Sequence, residues 1–266
     1  RGASPVSAPL LMADSVSRHF VGLVAVHPVQ FQLEAGIIAS VIGPNGAGKT
    51  TFFNLLAGVY RPSEGRLLWQ GELLADARQG LATDQIVRRG LVRTFQNIRL
   101  FGPVSVLENV LIGMHTRVNS ASWAQWLGLP SARAGEKESR RRALEVLDFV
   151  GLRPDAQRPA QSLPYGHQRL LEIARALASQ PQLLLLDEPA AGMNPNETQQ
   201  LIDLIRRIRD RGITVLLIEH DIKLVMEISE KVMVLDHGHK IAEGSPLEVS
   251  RDPKVIEAYL GAPESC

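Results

Sequence analysis

Cysteine is almost missing from this chain: Cys266, at its very end, is the only one. A single thiol excludes an intrachain disulfide framework and agrees with a reducing compartment. Its terminal position argues against a catalytic role. Charge of one sign is lacking too, with a formal net charge of +1. Nucleic-acid binders carry a clear basic excess, so nucleic acid is not an expected partner. No apolar run approaches the roughly 20 residues that cross a bilayer. Work at a membrane would therefore be done from its side, through a partner. Residues 1–9 are rich in Pro, Ser and Ala and have no charged segment followed by a long apolar one. They are expected to form a flexible leader rather than a signal peptide. What is present, over 266 residues, is 45% hydrophobic and 21% charged. That suffices for one large domain, or one domain with a sub-lobe.

The most informative stretch is Gly43, Pro44, Asn45, Gly46, Ala47, Gly48, Lys49, Thr50 and Thr51, which matches the phosphate-binding loop pattern. Residues 37–42 before it read as a short buried strand. Residues 50–57 after it are apolar at helical spacing and stop at Gly58. In a strand–loop–helix context, the glycines let backbone N–H groups converge on phosphate oxygens at a helix N-terminus. Lys49 is expected to bring a point charge to the β- and γ-phosphates, and Thr50 a hydroxyl ligand for Mg2+.

Upstream, Leu10 to Met12 and the alternating Val29, Phe31 and Leu33 read as antiparallel strands. Phe20 between them either stacks on an adenine ring or fills a strand end. Residues 66–69 read as a strand, and residues 83–89 as a short helix closed by Gly90. A strand over residues 91–95 delivers Gln96, for which a surface amide is the default reading. Ser105 and Glu108 form a capping box that opens a helix running to about His115. Trp123, Trp126 and Leu127 either pack a sub-lobe or form a docking face, with packing favoured. Residues 136–150 read as a charged amphipathic helix whose Arg140, Arg141 and Arg142 lie on a solvated face. Pro164 and Gly166 open a further helix, whose free N–H groups offer a second anion site.

Residues 183–186 are four leucines, the mark of a strand buried on both faces, and they end in Asp187 and Glu188. Ligands bind at the C-terminal ends of such strands. Asp187 is expected to hold Mg2+ and Glu188 to polarise the attacking water. Asn194 and Pro195 start another helix, and residues 213–218 form a strand ending in Glu219 and His220. His220 is placed to sense a γ-phosphate, although a satisfied structural histidine is the usual alternative. Residues 231–242 read as a hairpin and residues 253–260 as a last helix.

In this order the phosphate loop, Gln96, residues 163–168, Asp187–Glu188 and His220 resemble the ATP-binding cassette (ABC) ATPase family over residues 10–245. The resemblance implies a P-loop NTPase of α/β class: a RecA-like core, an antiparallel β subdomain and an inserted α-helical subdomain at about 97–180. Residues 246–266 would add a C-terminal helix and tail. It implies ATP and Mg2+ as ligands, with Phe20 on the adenine. Thr50, Gln96 and Asp187 would surround the metal, and Gln96 would connect the site to a membrane partner. Lys49, Glu188 and His220 would be catalytic. Leu163, Pro164, Tyr165, Gly166 and His167 stand where the family has Leu-Ser-Gly-Gly-Gln, a signature that acts on the nucleotide of a second cassette. Only Leu163 and Gly166 keep the pattern, which removes the serine hydroxyl but not the helix-terminal N–H groups.

The sequence from Leu163 to Leu177, residues 187–195, Gly22 to Val26 and residues 257–261 are similar to the ATPases of branched-chain amino-acid importers. That subgroup implies a second ATPase subunit, in a homo- or heterodimer, and two membrane permease subunits. It also implies a periplasmic solute-binding protein acting indirectly, and a peripheral place on the cytoplasmic face of the membrane. Alternatives are a related urea-type, amide or amino-acid importer, a lipopolysaccharide-export ATPase, and a soluble non-transport ABC ATPase.

Overall fold

The structure, a computed structural model, describes residues 8–94, 96, 98–114 and 130–260, with the backbone alone at 130–134 and 260. Residues 1–7 of the leader, His115, the tryptophans at 123 and 126, Leu127 and Cys266 lie outside the described residues.

Among the described residues, ten strands form two sheets. β1 (Leu11–Phe20), β2 (Leu23–Leu33), β4 (Glu64–Trp69) and β5 (Glu72–Asp76) pair antiparallel in the order β2-β1-β4-β5. Pro28 lies in β2, an edge strand, where its missing N–H breaks no ladder. The second sheet has the order β10-β9-β3-β8-β7-β6. It is built from β3 (Ile38–Ile42), β6 (Leu91–Arg93), β7 (Leu183–Asp187), β8 (Thr214–Ile218), β9 (Lys231–Asp236) and β10 (His239–Gly244). All its pairings are parallel except the expected β9–β10 hairpin.

β3, β7 and β8 are buried along their whole length, as their near-continuous apolar runs require. Successive side chains point to opposite faces. Leu183 and Leu185 pack with α1 (Lys49–Leu56) and the antiparallel sheet, where Phe31 meets Phe52 edge to face at 6.0 Å. Leu184 and Leu186 pack on the other face against α5 (Tyr165–Ala178) and α6 (Pro195–Asp210). That apolar cluster continues without a break into α3 (Val106–Met114) and α4 (Pro130–Val150). Shorter helices α2 (Thr83–Arg88), α7 (Ile222–Ile228), α8 (Pro246–Arg251) and α9 (Pro253–Leu260) complete the chain. The last helix falls on the residues expected for it, and α8 precedes it across Asp252, whose carboxylate accepts the Lys254 N–H at 2.9 Å.

Local chemistry sets the helix starts. The Ser105 hydroxyl and Glu108 carboxylate exchange bonds at the N-terminus of α3. Asn194 caps α6 by accepting from the N–H groups of Asn196 and Glu197, and Glu197 bonds back to the Asn194 N–H. Asn109, fully buried, accepts from the Phe101 N–H and donates to the carbonyls of Phe101 and Ser105, pinning the preceding loop to α3. α4 begins at Pro130 and not near residue 136 as expected, because proline fits the first turn of a helix and Gly135 does not end it. Arg141 and Arg142 lie exposed and bind Glu138, as a solvated face should.

α3 and α5 touch through Gly113, where an added Cβ would lie 2.3 Å from the Arg175 carbonyl oxygen. Gly113→Ala is therefore expected to push the two helices apart and cost about 1–3 kcal/mol, read as a lower urea midpoint with an unchanged slope.

Candidate functional site

The loop between β3 and α1 needs its glycines. Gly43, Gly46 and Gly48 have φ of 148°, 81° and 96°. A Cβ on Gly43 would stand 2.0 Å from the Leu235 carbonyl oxygen, and one on Gly48 would stand 2.6 Å from that of Ala25. The loop is also clasped from outside: Gly238 donates to the Ala47 carbonyl at 3.0 Å, and His27 donates to the Gly238 carbonyl at 2.9 Å. α1 starts at Lys49 with no side-chain cap, so its first N–H groups face the concavity made by the loop. This is a cradle for phosphate oxygens.

Lys49 is buried, and its amine donates to the carbonyls of Gly43 and Pro44, each at 2.8 Å. Burial lowers its pKa, while the nearby carboxylates of Glu188 and Asp187 pull it back upward. A cleft of about 470 Å³ brings residues 45–51 together with Gln96, Glu188, His237, Gly238 and the β2 residues Leu23, Val24 and Ala25. Phe20 is not among the residues lining it: its ring meets Tyr60 edge to face at 5.4 Å and carries the Arg18 guanidinium at 4.8 Å.

The two carboxylates at the end of β7 part company, because Asp187 is its last residue and Glu188 follows in a turn conformation. Asp187 is buried and bound by Arg93 Nη2 at 2.6 Å, while Arg93 Nη1 binds Asn54 of α1 at 2.5 Å. Glu188 turns outward with φ of 46°, a left-handed conformation costing about 1–3 kcal/mol outside glycine. Gln96 donates its amide to Glu188 Oε2 at 2.9 Å, and His220 Nδ1 stands 3.9 Å from that oxygen. Lys49, Gln96, Glu188 and His220 are thus brought together. With the Thr50 hydroxyl and Asp187, the site offers oxygen donors, which suit a hard cation such as Mg2+. Arg93 occupies Asp187 Oδ2, so the carboxylate is held in place from the side of the core.

Residues 163–167 lie elsewhere, at the N-terminus of α5. Pro164 is its N-cap and makes no side-chain bond there. Tyr165 is exposed, Gly166 is buried, and a Cβ on Gly166 would fall 2.6 Å from Glu197 Oε1. His167 faces Asp155 at 3.6 Å. None of these five residues lines the phosphate-loop cleft.

Sequence reasoning missed four residues. Arg93 compensates Asp187 from the neighbouring strand. Glu219, fully buried, accepts from the N–H groups of Ala190 at 2.9 Å and His220 at 3.2 Å, fixing both loops beside Glu188. Arg169 and Glu172 form a buried pair at 2.8 Å inside the apolar face of α5. The available signal was the same throughout: a charge placed where the periodicity demands an apolar residue.

Comparison with known proteins agrees with this geometry. A family model described as "ABC transporter" matches residues 26–191, and one described as "Branched-chain amino acid ATP-binding cassette transporter" matches residues 239–265. The chain is 46% identical over 257 residues to the high-affinity branched-chain amino acid transport ATP-binding protein LivG of Escherichia coli K12, covering 96% of this chain and 99% of the relative. It is 45% identical, with the same coverage, to BraF of Pseudomonas aeruginosa, which carries the same description. A solved ATP-binding cassette of an ABC transporter in its ADP conformation superposes with a TM-score of 0.82 at 30% identity, over 95% of this chain and 99% of that one.

Removing the guanidinium in Arg93→Met leaves the Asp187 charge buried without its ion pair. Unfolding free energy should fall by about 3–5 kcal/mol in chemical denaturation. Burial raises the pKa of Glu219 above its ordinary 4.5. The folded state then holds this proton more tightly than the unfolded state. The resulting stability is complete below 4.5 and lost as pH rises through the elevated value. Glu219→Gln is expected to remove that pH-dependent component, measured as the difference between the two proteins in denaturation midpoint from acid to neutral pH.

Proposed function

Because the chain belongs to the ABC transporter family and is an ABC-type ATPase, we propose that it hydrolyses ATP to drive uptake of branched-chain amino acids through membrane permeases. The observation that carries this reading is the convergence of Lys49, Gln96 and His220 on Glu188 beside an uncapped helix start. The C-terminal family match and the LivG and BraF likeness favour branched-chain amino acids as the solute.

In this reading the phosphates lie along the N–H groups of residues 46–51, and Lys49 leaves the carbonyls of Gly43 and Pro44 for the β- and γ-phosphate oxygens. Thr50, Asp187 and Gln96 would hold Mg2+, which supplies charge neutralisation on the phosphates when bound. Glu188, steered by Gln96, accepts the proton of the attacking water, and His220 donates to the γ-phosphate. Catalysis is then chiefly positioning and electrostatic stabilisation. Phe20, partly exposed, would stack on the adenine.

The cleft is one half of a working site. Residues 163–167 would close over the nucleotide of a second cassette, and that cassette's signature over this one. Movement would pass through the Gln96 loop and the helical segment to two permease subunits served by a solute-binding protein. Among the described residues no helix is long and apolar enough to cross a membrane. A peripheral place on the cytoplasmic face of the membrane, held through the permease subunits, belongs to this reading and rests on the likeness to LivG and BraF.

Glu188→Gln should bind ATP like the wild type yet lose about a hundred- to ten-thousand-fold in kcat, the usual contribution of a positioned base. Purification from detergent-solubilised membranes should recover the chain with permeases, and leucine uptake into vesicles should require them together. Unchanged hydrolysis in the variant refutes the base, and a chain that never associates with membranes refutes the transport role.

A further inference from the structure

Arg169 is a fully buried guanidinium that phosphate binding and water activation do not use. It is one residue pair away from both halves of the machinery. Its Nη1 binds Glu172 Oε2 at 2.8 Å, which fixes one prong of the fork within α5. Its Nη2 donates to the Gln96 backbone carbonyl at 2.7 Å and to the Tyr165 hydroxyl at 3.2 Å. Gln96 in turn donates its side chain to Glu188 at 2.9 Å. On the far side, the Tyr165 ring covers Gly192, where an added Cβ would sit 3.1 Å from Cε1 of the ring.

These contacts make one continuous series, from Glu188 through Gln96 and Arg169 to Tyr165. A planar guanidinium with one prong anchored cannot follow a displaced carbonyl without moving or releasing the hydroxyl bound to the same nitrogen. The anchoring Arg169–Glu172 bond is buried, and a charge-assisted bond out of water is stronger than a surface counterpart and more costly to leave unmade.

We propose that Arg169 is a positioning residue that ties the Gln96 loop of this chain's nucleotide site to Tyr165, on the surface offered to a second cassette. Nucleotide on one chain thereby alters the first turn of α5 before any second cassette is engaged. This rests on the reading of residues 163–167 and of the phosphate loop given above.

Hydrogen exchange on the full-length chain, kept monomeric as checked by size exclusion, tests it with MgADP as the probe. In the wild type, MgADP should slow exchange in peptides over residues 43–51 and change it in peptides over residues 163–170 by roughly fivefold or more, the usual range of intersite coupling. Arg169→Lys breaks the fork. Tyr165→Phe deletes only the outer hydroxyl and leaves the buried Arg169–Glu172 pair intact, so it reports even if the first variant does not fold. Both variants should keep the slowed exchange at 43–51, and an MgADP affinity within about twofold, while losing the response at 163–170. A merely structural arginine would shift exchange equally with and without MgADP. The inference is overturned if the response at 163–170 is missing in the wild type while 43–51 is protected, or persists in Tyr165→Phe. Failure of 43–51 to respond in the wild type refutes the nucleotide-site reading itself, and the inference falls with it.

Discussion

A charge buried at the end of an apolar strand must find its opposite within a few ångströms, and that requirement shapes the centre of this protein. The leucines of β7 carry Asp187 out of water, and Arg93 answers from β6. The same arginine reaches Asn54 in the helix after the phosphate loop. One guanidinium therefore fixes the spacing between β6, β7 and α1, the three elements that hold Gln96, the carboxylates and the lysine. α5 repeats the arrangement with Arg169 and Glu172 beneath its exposed first turn. Such pairs contribute little net stability compared with apolar packing, but losing one member is severe. Their value is geometric.

The parallel sheet was readable because its strands are apolar on both faces and its helices carry capping chemistry at their starts. The phosphate loop, the β7 carboxylates and the place of His220 followed from strand ends. Gln96 stood out only through resemblance, and for Phe20 the residues alone left adenine stacking and a strand-end packing role open. The roles of Arg93 and Arg169 were not legible. Their partners lie 94 and 73 residues away along the chain, so only the folded register brings them together. The start of α4 was hidden for a different reason. Its first residues lack an apolar stripe, so periodicity had nothing to detect.

Family likeness and geometry contribute different things. LivG and BraF are described by a class of solute, and the proposal takes it from them because no residue in the cleft encodes one. Geometry supplies what likeness does not: the strained backbone of Glu188, the buried Glu219 that pins the Ala190 and His220 amides, and the fork of Arg169. Glu188 sits in an unfavourable conformation because its neighbours on both sides are held, Asp187 by Arg93 and Ala190 by Glu219.

The amine of Lys49 rests on two carbonyls of its own loop, an internal cation held beside the loop's converging N–H groups. Nucleotide entry is then an exchange of partners by one side chain, not the folding of a floppy loop. Little ordering entropy remains to be lost on binding. In the proposed reading, an arriving phosphate therefore competes with two carbonyls for a single ammonium.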